Sequence, residues 1–302
     1  MKNYEDASTG FIRVMNEIKE EEEGLNGGNA CFYSGYRRLD KLTGGFRPGE
    51  LVIIAGRPSM GKTALALSIV HNQVIGNNKK LAYISLGERS ENILKRLLVI
   101  DSHIDFHRLR TGDLSDKQWK ELEKSVRRFG ESKLIIGDDP EDIVEECRSL
   151  RDEYGVDGIF IDYIQLVEGK EADGLNKKEC VELLRSLKKA ASDSEIPIIL
   201  LSQLSRKMEK REDKRPLLID FREGRRFAYA ADTVLLLYRD EYYNADTAIK
   251  RLCEVFVAKH IDRYTGRAEL MWRPENLSFY DRNEWDEYED SFSNLPEDLP
   301  FN

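Results

Sequence analysis

Residues 51–71 read LVIIAGRPSMGKTALALSIVH. A short apolar run enters a glycine-bounded turn, and a longer run rich in Ala and Leu leaves it. That order places a turn at the carboxyl end of a buried strand, with a helix opening directly behind it. Within the stretch, GRPSMGKT (Gly56 to Thr63) fits the pattern G-x-x-x-x-G-K-[ST]. The glycines let backbone amides turn inward around phosphates, and the helix N-terminus adds its positive end. Gly56, Arg57, Pro58, Ser59, Met60 and Gly61 are therefore candidates to wrap a nucleotide. Lys62 can reach the β- and γ-phosphates, and Thr63 can ligate Mg²⁺. The expected ligand is ATP with Mg²⁺. A glycine turn opening an ordinary helix is the bland alternative, and the strand before and helix after weigh against it.

Outward from this turn, apolar strands alternate with amphipathic helices. Strands are expected at ELVIIAG (50–56), LAYIS (81–85), KLIIG (133–137), GIFIDY (158–163), IPIILLS (196–202), DTVLLLYR (232–239), CEVFVAKH (253–260) and AELMWR (268–273). Helical spacing fills the gaps near 62–76, 89–101, 116–129, 141–154 and 177–193. Strands this apolar, separated by helices, indicate an α/β fold with a mostly parallel sheet covered on both faces. The last strands lack long helices between them, so the sheet is expected to finish in antiparallel hairpins. GIFIDY supplies Asp162 at a strand end as the acid that would hold Mg²⁺; capping a turn is its structural alternative. ILLSQ supplies Gln203, a polar strand end suited to sensing a γ-phosphate, with plain structural polarity equally open.

Bulk properties bound the partners. A net charge of −9 over 302 residues argues by itself against nucleic acid. The distribution says more: between Arg206 and Arg226 there are nine Lys or Arg and five Asp or Glu. Acid is concentrated in KEEEEG (19–24) and in residues 283–302. Four scattered cysteines without C-x-x-C spacing point to buried or incidental thiols in a reducing compartment. No apolar run is long enough to span a membrane and the N-terminus lacks a signal pattern, so no membrane association and a cytoplasmic location are expected. Phe11, Val14, Met15 and Ile18 lie at helical spacing within 9–23, and the glycines of GLNGGN (24–29) break the pattern. This is a short amphipathic helix on a joint, and its stripe needs a partner surface. The expected organisation is residues 1–30 as linker helix and joint, 31–282 as the main domain, and 283–302 as an acidic, disordered tail.

With these residues assembled, the chain resembles the C-terminal ATPase domain of bacterial and phage replicative DNA helicases of the DnaB type. The likeness runs from SGYRRLDKLTGGF (34–46) through the phosphate loop, HRLRTGDLSDKQW (107–119), DYIQLV (162–167), ILLSQLSR (199–206), EDKRPLLIDFREG (212–224), ADTVLLLYRDEYYN (231–244) and VAKH (257–260) to FYD (279–281). The resemblance implies a RecA-like P-loop NTPase core and a homo-oligomeric, hexameric ring with ATP between subunits. It further implies single-stranded DNA in the central channel, 5′-to-3′ movement, and replication partners such as a loader or primase. It makes Lys62, Asp162 and Gln203 catalytic, and Lys259 a cation that reaches a neighbour's γ-phosphate. DFREGRR (220–226) matches the family's channel loop, which makes Arg222 and Glu223 candidates for DNA contact. Where the family has glycine two residues after that Glu, this chain has Arg225, which with Arg226 would strengthen the electrostatic contact or change how the loop packs; a solvated charged loop is the alternative. Phe221 and Phe227 could stack on bases or anchor the loop in the core.

Two further positions depart from the family pattern. Where the family usually reads S-L-E-M, this chain reads SLGE, with Gly87 at the acid's place and Glu88 one residue later. Glu88 is the candidate water-activating base if the permissive Gly87 re-aims the turn; otherwise it is a first-turn acid favoured by the helix dipole. Where the family usually carries Lys-x-Arg, this chain has Lys259 and then Ile261, with Arg263 as a possible substitute. Two functions are therefore expected: an ATP-hydrolysing helicase motor, or an ATP-binding structural or regulatory paralogue with little turnover.

Overall fold

The structure, a computed structural model, describes residues 6–9, 11–12, 15, 32–138, 140–163, 177–263 and 265–282. The chain divides into two units, residues 1–31 and 32–302. In the first, residues 7–9, 11–12 and 15 are helical, with Phe11, Ile12 and Met15 exposed. Val14, Ile18, Cys31, the GLNGGN joint, residues 164–167 of DYIQLV and the tail at 283–302 lie outside the described residues.

The second unit is built on one nine-stranded sheet. Its strands are β1 (Leu51–Gly56), β2 (Leu81–Ser85), β3 (Leu134–Asp138), β4 (Gly158–Asp162), β5 (Ile198–Gln203), β6 (Thr233–Tyr238), β7 (Leu252–Lys259), β8 (Gly266–Arg273) and β9 (Ser278–Asp281). Their order is β3-β2-β4-β5-β1-β6-β7-β8-β9. The six from β3 to β6 are parallel, and β7, β8 and β9 pair antiparallel. Both expectations for the sheet hold. The four-residue β9 was not among the expected strands; a run that short, straight after a turn, carries little periodicity.

Along β1 the side chains alternate between two cores. Val52 and Ile54 join the core containing Leu65, Ile69, Tyr83 and Phe160, whereas Leu51, Ile53 and Ala55 join one containing Leu184, Leu187, Leu200 and Phe227. A strand buried on both faces has no polar period, which is why LVIIA reads as an unbroken apolar run. The helix Lys62–His71 is buried from Ala64 to Val70, so it too is apolar all round. Asp101 braces it from behind. That carboxylate, on the helix Ser90–Ser102, accepts from His71 Nε2 at 2.9 Å and from Arg128 Nε at 3.0 Å on the helix Asp116–Glu131. Helix starts follow their caps: Ser115 forms a capping box with Gln118, and Asp142 accepts from the amides of Val144 and Glu145.

Parallel strands bring their carboxyl ends to one edge of the sheet. β1 reaches β2 by crossing over β5 and β4, whereas β6 lies on its other side, so the chain changes direction at β1. Crevices at such a switch point are where open α/β sheets bind ligands. Gly56, Asp162 and Gln203 all lie at that edge.

Candidate functional site

The loop after β1 turns through Ser59 (φ 63°) and Gly61 (φ 96°) before the helix begins at Lys62. At Gly61 a Cβ would lie 2.8 Å from the Phe279 ring. The glycine of the motif is thus required twice, for its left-handed backbone and for the ring against it. Arg57 is 5% exposed; it donates to Leu204 O at 2.8 Å and pairs with Glu209 at 2.8 Å. Arg239 donates to Ser59 O at 3.3 Å. The loop is therefore tied to its own chain at Arg57 and Ser59.

Lys62 Nζ donates to Arg57 O at 3.2 Å. Burial pushes its pKa down to about 8, against the opposing pull of Asp162. Thr63 Oγ1 donates to Asp162 Oδ2 at 2.7 Å, and the fully buried Tyr83 donates its hydroxyl to the same oxygen at 2.7 Å. Burial raises the Asp162 pKa, the bonds from Thr63 and Tyr83 and the charge of Lys62 oppose that, and Glu88 adds to it. A hydroxyl and a carboxylate in contact at the head of a phosphate loop are a hard-oxygen donor pair of the kind Mg²⁺ takes. Among the described residues no group of three or more His, Cys, Asp or Glu is arranged to hold a metal.

Gln203 is in register with Gly56 across the β1–β5 pair. The structure thus gathers Lys62, Thr63, Asp162 and Gln203 at one strand edge, as their sequence positions predict. Glu88 stands three residues after Ser85, the register partner of Asp162, and contributes least among the causes that shift the Asp162 pKa. Its carboxylate pairs with Arg96 at 3.2 Å.

Lys259 does not join this group. It stands opposite Val234, which is in register with Ile53 on β1. That is about 10 Å along the strands and about 10 Å across them from Gly56. Its ammonium donates to Tyr229 O at 2.9 Å and also to Ala231 O; burial lowers its pKa, with Asp232 opposing. Ile261 is 60% exposed. Arg263 lies across Gly44, where a Cβ would sit 2.5 Å from the guanidinium carbon.

In the 220–226 loop, Asp220 is buried and clamped by Arg211 through bonds of 2.7 and 2.8 Å. Phe221 and Phe227 are both buried, with ring centroids 5.2 Å apart. They anchor the loop, which decides between the two roles open for them. Arg222 and Glu223 are half-buried, and Arg225 and Arg226 are exposed at the start of the short helix Arg225–Ala230. Arg225 also lines an apolar groove of about 640 Å³ with Leu217, Ile219, Tyr229 and Ala258.

Sequence reasoning missed three residues of the site. Tyr83 was legible only as an apolar strand residue; its place two before Ser85, which is in register with Asp162, was the available signal. Arg96 lies eight positions after Glu88, which precedes the helix Ser90–Ser102, so the pair falls outside the i+3 and i+4 spacings that would have signalled it. Glu209 had no local signal, because its partner lies 152 positions away.

Comparison with known proteins follows this geometry. The family described as DnaB-like helicase C terminal domain matches residues 32–281. The replicative DNA helicase DnaB of Geobacillus stearothermophilus is 38% identical over 251 residues, covering 82% of this chain and 55% of that protein. The replicative DNA helicase DnaB of Haemophilus influenzae is 32% identical over 288 residues, covering 93% of this chain and 60% of that protein. The chain thus spans a little over half the length of the curated relatives it matches. Among solved structures, an isolated ATPase domain superposes with a TM-score of 0.82 at 31% identity, covering 92% of this chain and 99% of that one. A DnaB-like replicative helicase studied with primase superposes with a TM-score of 0.80 at 31% identity, covering 92% and 67%. No helix among the described residues is long and apolar enough to cross a membrane.

Proposed function

The chain belongs to the DnaB-like helicase C-terminal domain family, and from that premise we propose that it is the ATP-driven motor of a replicative DNA helicase. Residues 31–282 are the motor domain, 1–30 the linker helix and joint, and 283–302 an acidic tail. The observation that carries the reading is the contact of Thr63 with Asp162 at the head of the phosphate loop, beside the strand end that bears Gln203.

Each residue then has a task. The backbone N–H groups of the 56–61 loop other than Pro58, which has none, and the Lys62 ammonium hold the β- and γ-phosphates of ATP. Thr63 and Asp162 hold Mg²⁺, which when bound spreads the charge that develops on the phosphate oxygens. Glu88 accepts the proton of the attacking water, and Gln203 responds to the presence of the γ-phosphate. Lys259, too far from Lys62 in the same chain, serves the site of a neighbouring copy in a ring. Arg222, Glu223 and Arg225 face the phosphates of single-stranded DNA in the channel, where affinity depends on charge and carries no sequence preference. Partners that load the ring or prime synthesis would dock on such a ring, which works in the cytoplasm.

ATP hydrolysis measured with and without single-stranded DNA tests the proposal, with Asp162→Asn as the control. Stimulated turnover that vanishes in the variant is the expected outcome. The exposed Ile261 and the engagement of Arg263 with Gly44 favour a second reading, an ATP-binding regulatory paralogue with slow turnover. No hydrolysis at concentrations where the chain assembles would replace the first reading with the second.

A further inference from the structure

Glu88 sits one residue later than the acid it would replace, so something other than register must aim it. Two sets of contacts converge on its turn. From the backbone side, Leu86 N donates to the carbonyl of Asp162 at 2.7 Å. Ser85 Oγ donates to Glu88 O at 2.6 Å and accepts from Glu88 N at 3.3 Å. The turn is thus stitched to the residue that bears the proposed metal ligand. From the side-chain side, Arg96 Nη2 donates to Glu88 Oε1 at 3.2 Å.

Arg96 has the properties of an anchor. It stands on the helix Ser90–Ser102, whose buried Ile93, Leu97 and Ile100 fix that helix on the sheet. Its guanidinium carbon lies 5.7 Å from the centre of the Phe106 ring, a contact that narrows its rotamers. The hold is one-armed: the buried Nε has no hydrogen-bond acceptor among the described residues, so the guanidinium takes one carboxylate oxygen and leaves the other. An acid held this way has one oxygen engaged by the guanidinium, on a side chain that is 31% exposed. Its negative charge is felt at Asp162 and Tyr83, and the charge of Arg96 is felt at Tyr83 as well.

We propose that Arg96 is a positioning residue that compensates for the late register of Glu88, pinning its carboxylate over the turn that is bonded to Asp162 so that it can accept the proton of the attacking water. The inference rests on the reading of Glu88 as that base. A displaced base of this kind needs an anchor because an error of about 1 Å at the reacting centre costs ~10²-fold in rate.

The test is a double-mutant cycle in the full chain, reading kcat and KM in single- and multiple-turnover ATPase assays. Binding of a non-hydrolysable ATP analogue reports whether each variant keeps its fold. Arg96→Ala is expected to lower kcat roughly 10- to 100-fold with KM and analogue binding near wild type. Arg96→Lys should recover most of that loss. In a Glu88→Gln background, adding Arg96→Ala should cost less than about twofold, because the group it positions is already gone. Where the Glu88→Gln rate is too low to divide, the lysine rescue decides. Wild-type kcat in Arg96→Ala alongside an inactive Glu88→Gln overturns the anchor and leaves the base standing. A loss in Arg96→Ala matched by equal loss of analogue binding, or undiminished in the Glu88→Gln background, shows a structural role and overturns it too. Full activity in Glu88→Gln removes the base and the anchor together.

Discussion

The two ends of the central sheet are finished to different degrees. At the carboxyl ends of β1, β4 and β5, the charged groups described are interlocked within one chain: Thr63 and Tyr83 on Asp162, Arg57 on Glu209, Arg96 on Glu88. At the other end, where β7 closes, Lys259 rests on the carbonyls of Tyr229 and Ala231 while Ile261 is exposed. The first end is a site that one chain can assemble. The second gains chemical meaning in the proposed ring, where a neighbour's phosphate is presented to it. On that proposal function is divided between two ends of one domain and requires two copies.

The sharpest way to break this comparison is to disable each end separately and mix the products. Lys62→Ala removes the phosphate cation and is expected to lower ATP turnover by at least ~10³-fold. Lys259→Ala is expected to lower it by at least ~10²-fold. If the second end serves a neighbour, an equal mixture of the two variants contains interfaces with both groups intact. About a quarter of interfaces should be whole, and turnover should return toward that fraction. A mixture no more active than its components would place Lys259 in a purely structural role, capping the end of the helix Arg225–Ala230.

The interlocked end depends on a brace behind it, and Asp101 tests how far. Burial alone would raise the pKa of this carboxyl, but the bonds from His71 and Arg128 outweigh it and hold it well below the usual carboxylate range. The folded chain therefore binds fewer protons here than the unfolded one. The stabilisation is complete above about pH 4 and is lost as pH falls below it. Asp101→Asn is expected to cost about 2 kcal/mol at neutral pH, roughly a thirtyfold change in the folding equilibrium. Urea melts from pH 7 down to pH 2.5 should show the wild type losing its advantage over the variant on the acid side. An unchanged gap at low pH would mean that the network contributes nothing by charge.

How much of this was legible in the sequence differs between the ends for the same reason. The phosphate loop announces itself locally, because strand, turn and helix must follow one another for a loop to wrap phosphates, and Asp162 stands out as an acid ending an apolar run. Gln203 read only as a polar strand end, and its place opposite Gly56 came from register. The sheet was legible too, since β1 to β8 are apolar runs with a clear period or length. Tyr83 and Glu209 were hidden because their roles depend on strand register and on contacts far along the chain. The meaning of Lys259 was carried by family likeness alone, and nothing in VAKH reveals that the residue stands on the far side of the sheet from Lys62. Gly87 and Glu88 were visible as an irregularity, but the stitch to Asp162 and the hold by Arg96 exist only in three dimensions.

Restoring a cation at the unfinished end should have a smaller effect. Ile261→Arg is expected to raise DNA-stimulated turnover about tenfold, well short of the 10³–10⁵ of an evolved arginine finger, because the surrounding hairpin is not shaped for it. No increase, in a variant that still assembles, would show that Lys259 already supplies the cation this interface uses. A fall would show that the apolar side chain itself packs against the neighbour.

The smallest expected effect concerns DNA, and it sharpens the comparison by asking to which end the channel loop belongs. Arg225 opens the helix Arg225–Ala230, whose final carbonyl region is held by Lys259, and it lines the same groove as Ala258 and Gly266. The loop that would grip DNA and the cation that would reach a neighbour's ATP are thus joined through one six-residue helix. Arg225 is exposed and Arg222 half-buried, so removing either should leave the fold intact. Each substitution to Ala is expected to weaken single-stranded DNA binding by about three- to tenfold at 0.1 M salt. The slope of log K against log salt should fall by about 0.7 for each DNA phosphate that is no longer neutralised. The weakening should be uniform across sequences, since phosphate contacts carry no base information. If Arg225→Ala also lowers DNA-stimulated turnover at saturating DNA while Arg222→Ala does not, the short helix transmits the state of the DNA to Lys259. If both variants change affinity alone, the loop grips without signalling, and coupling between the ends must run through β5 and Gln203.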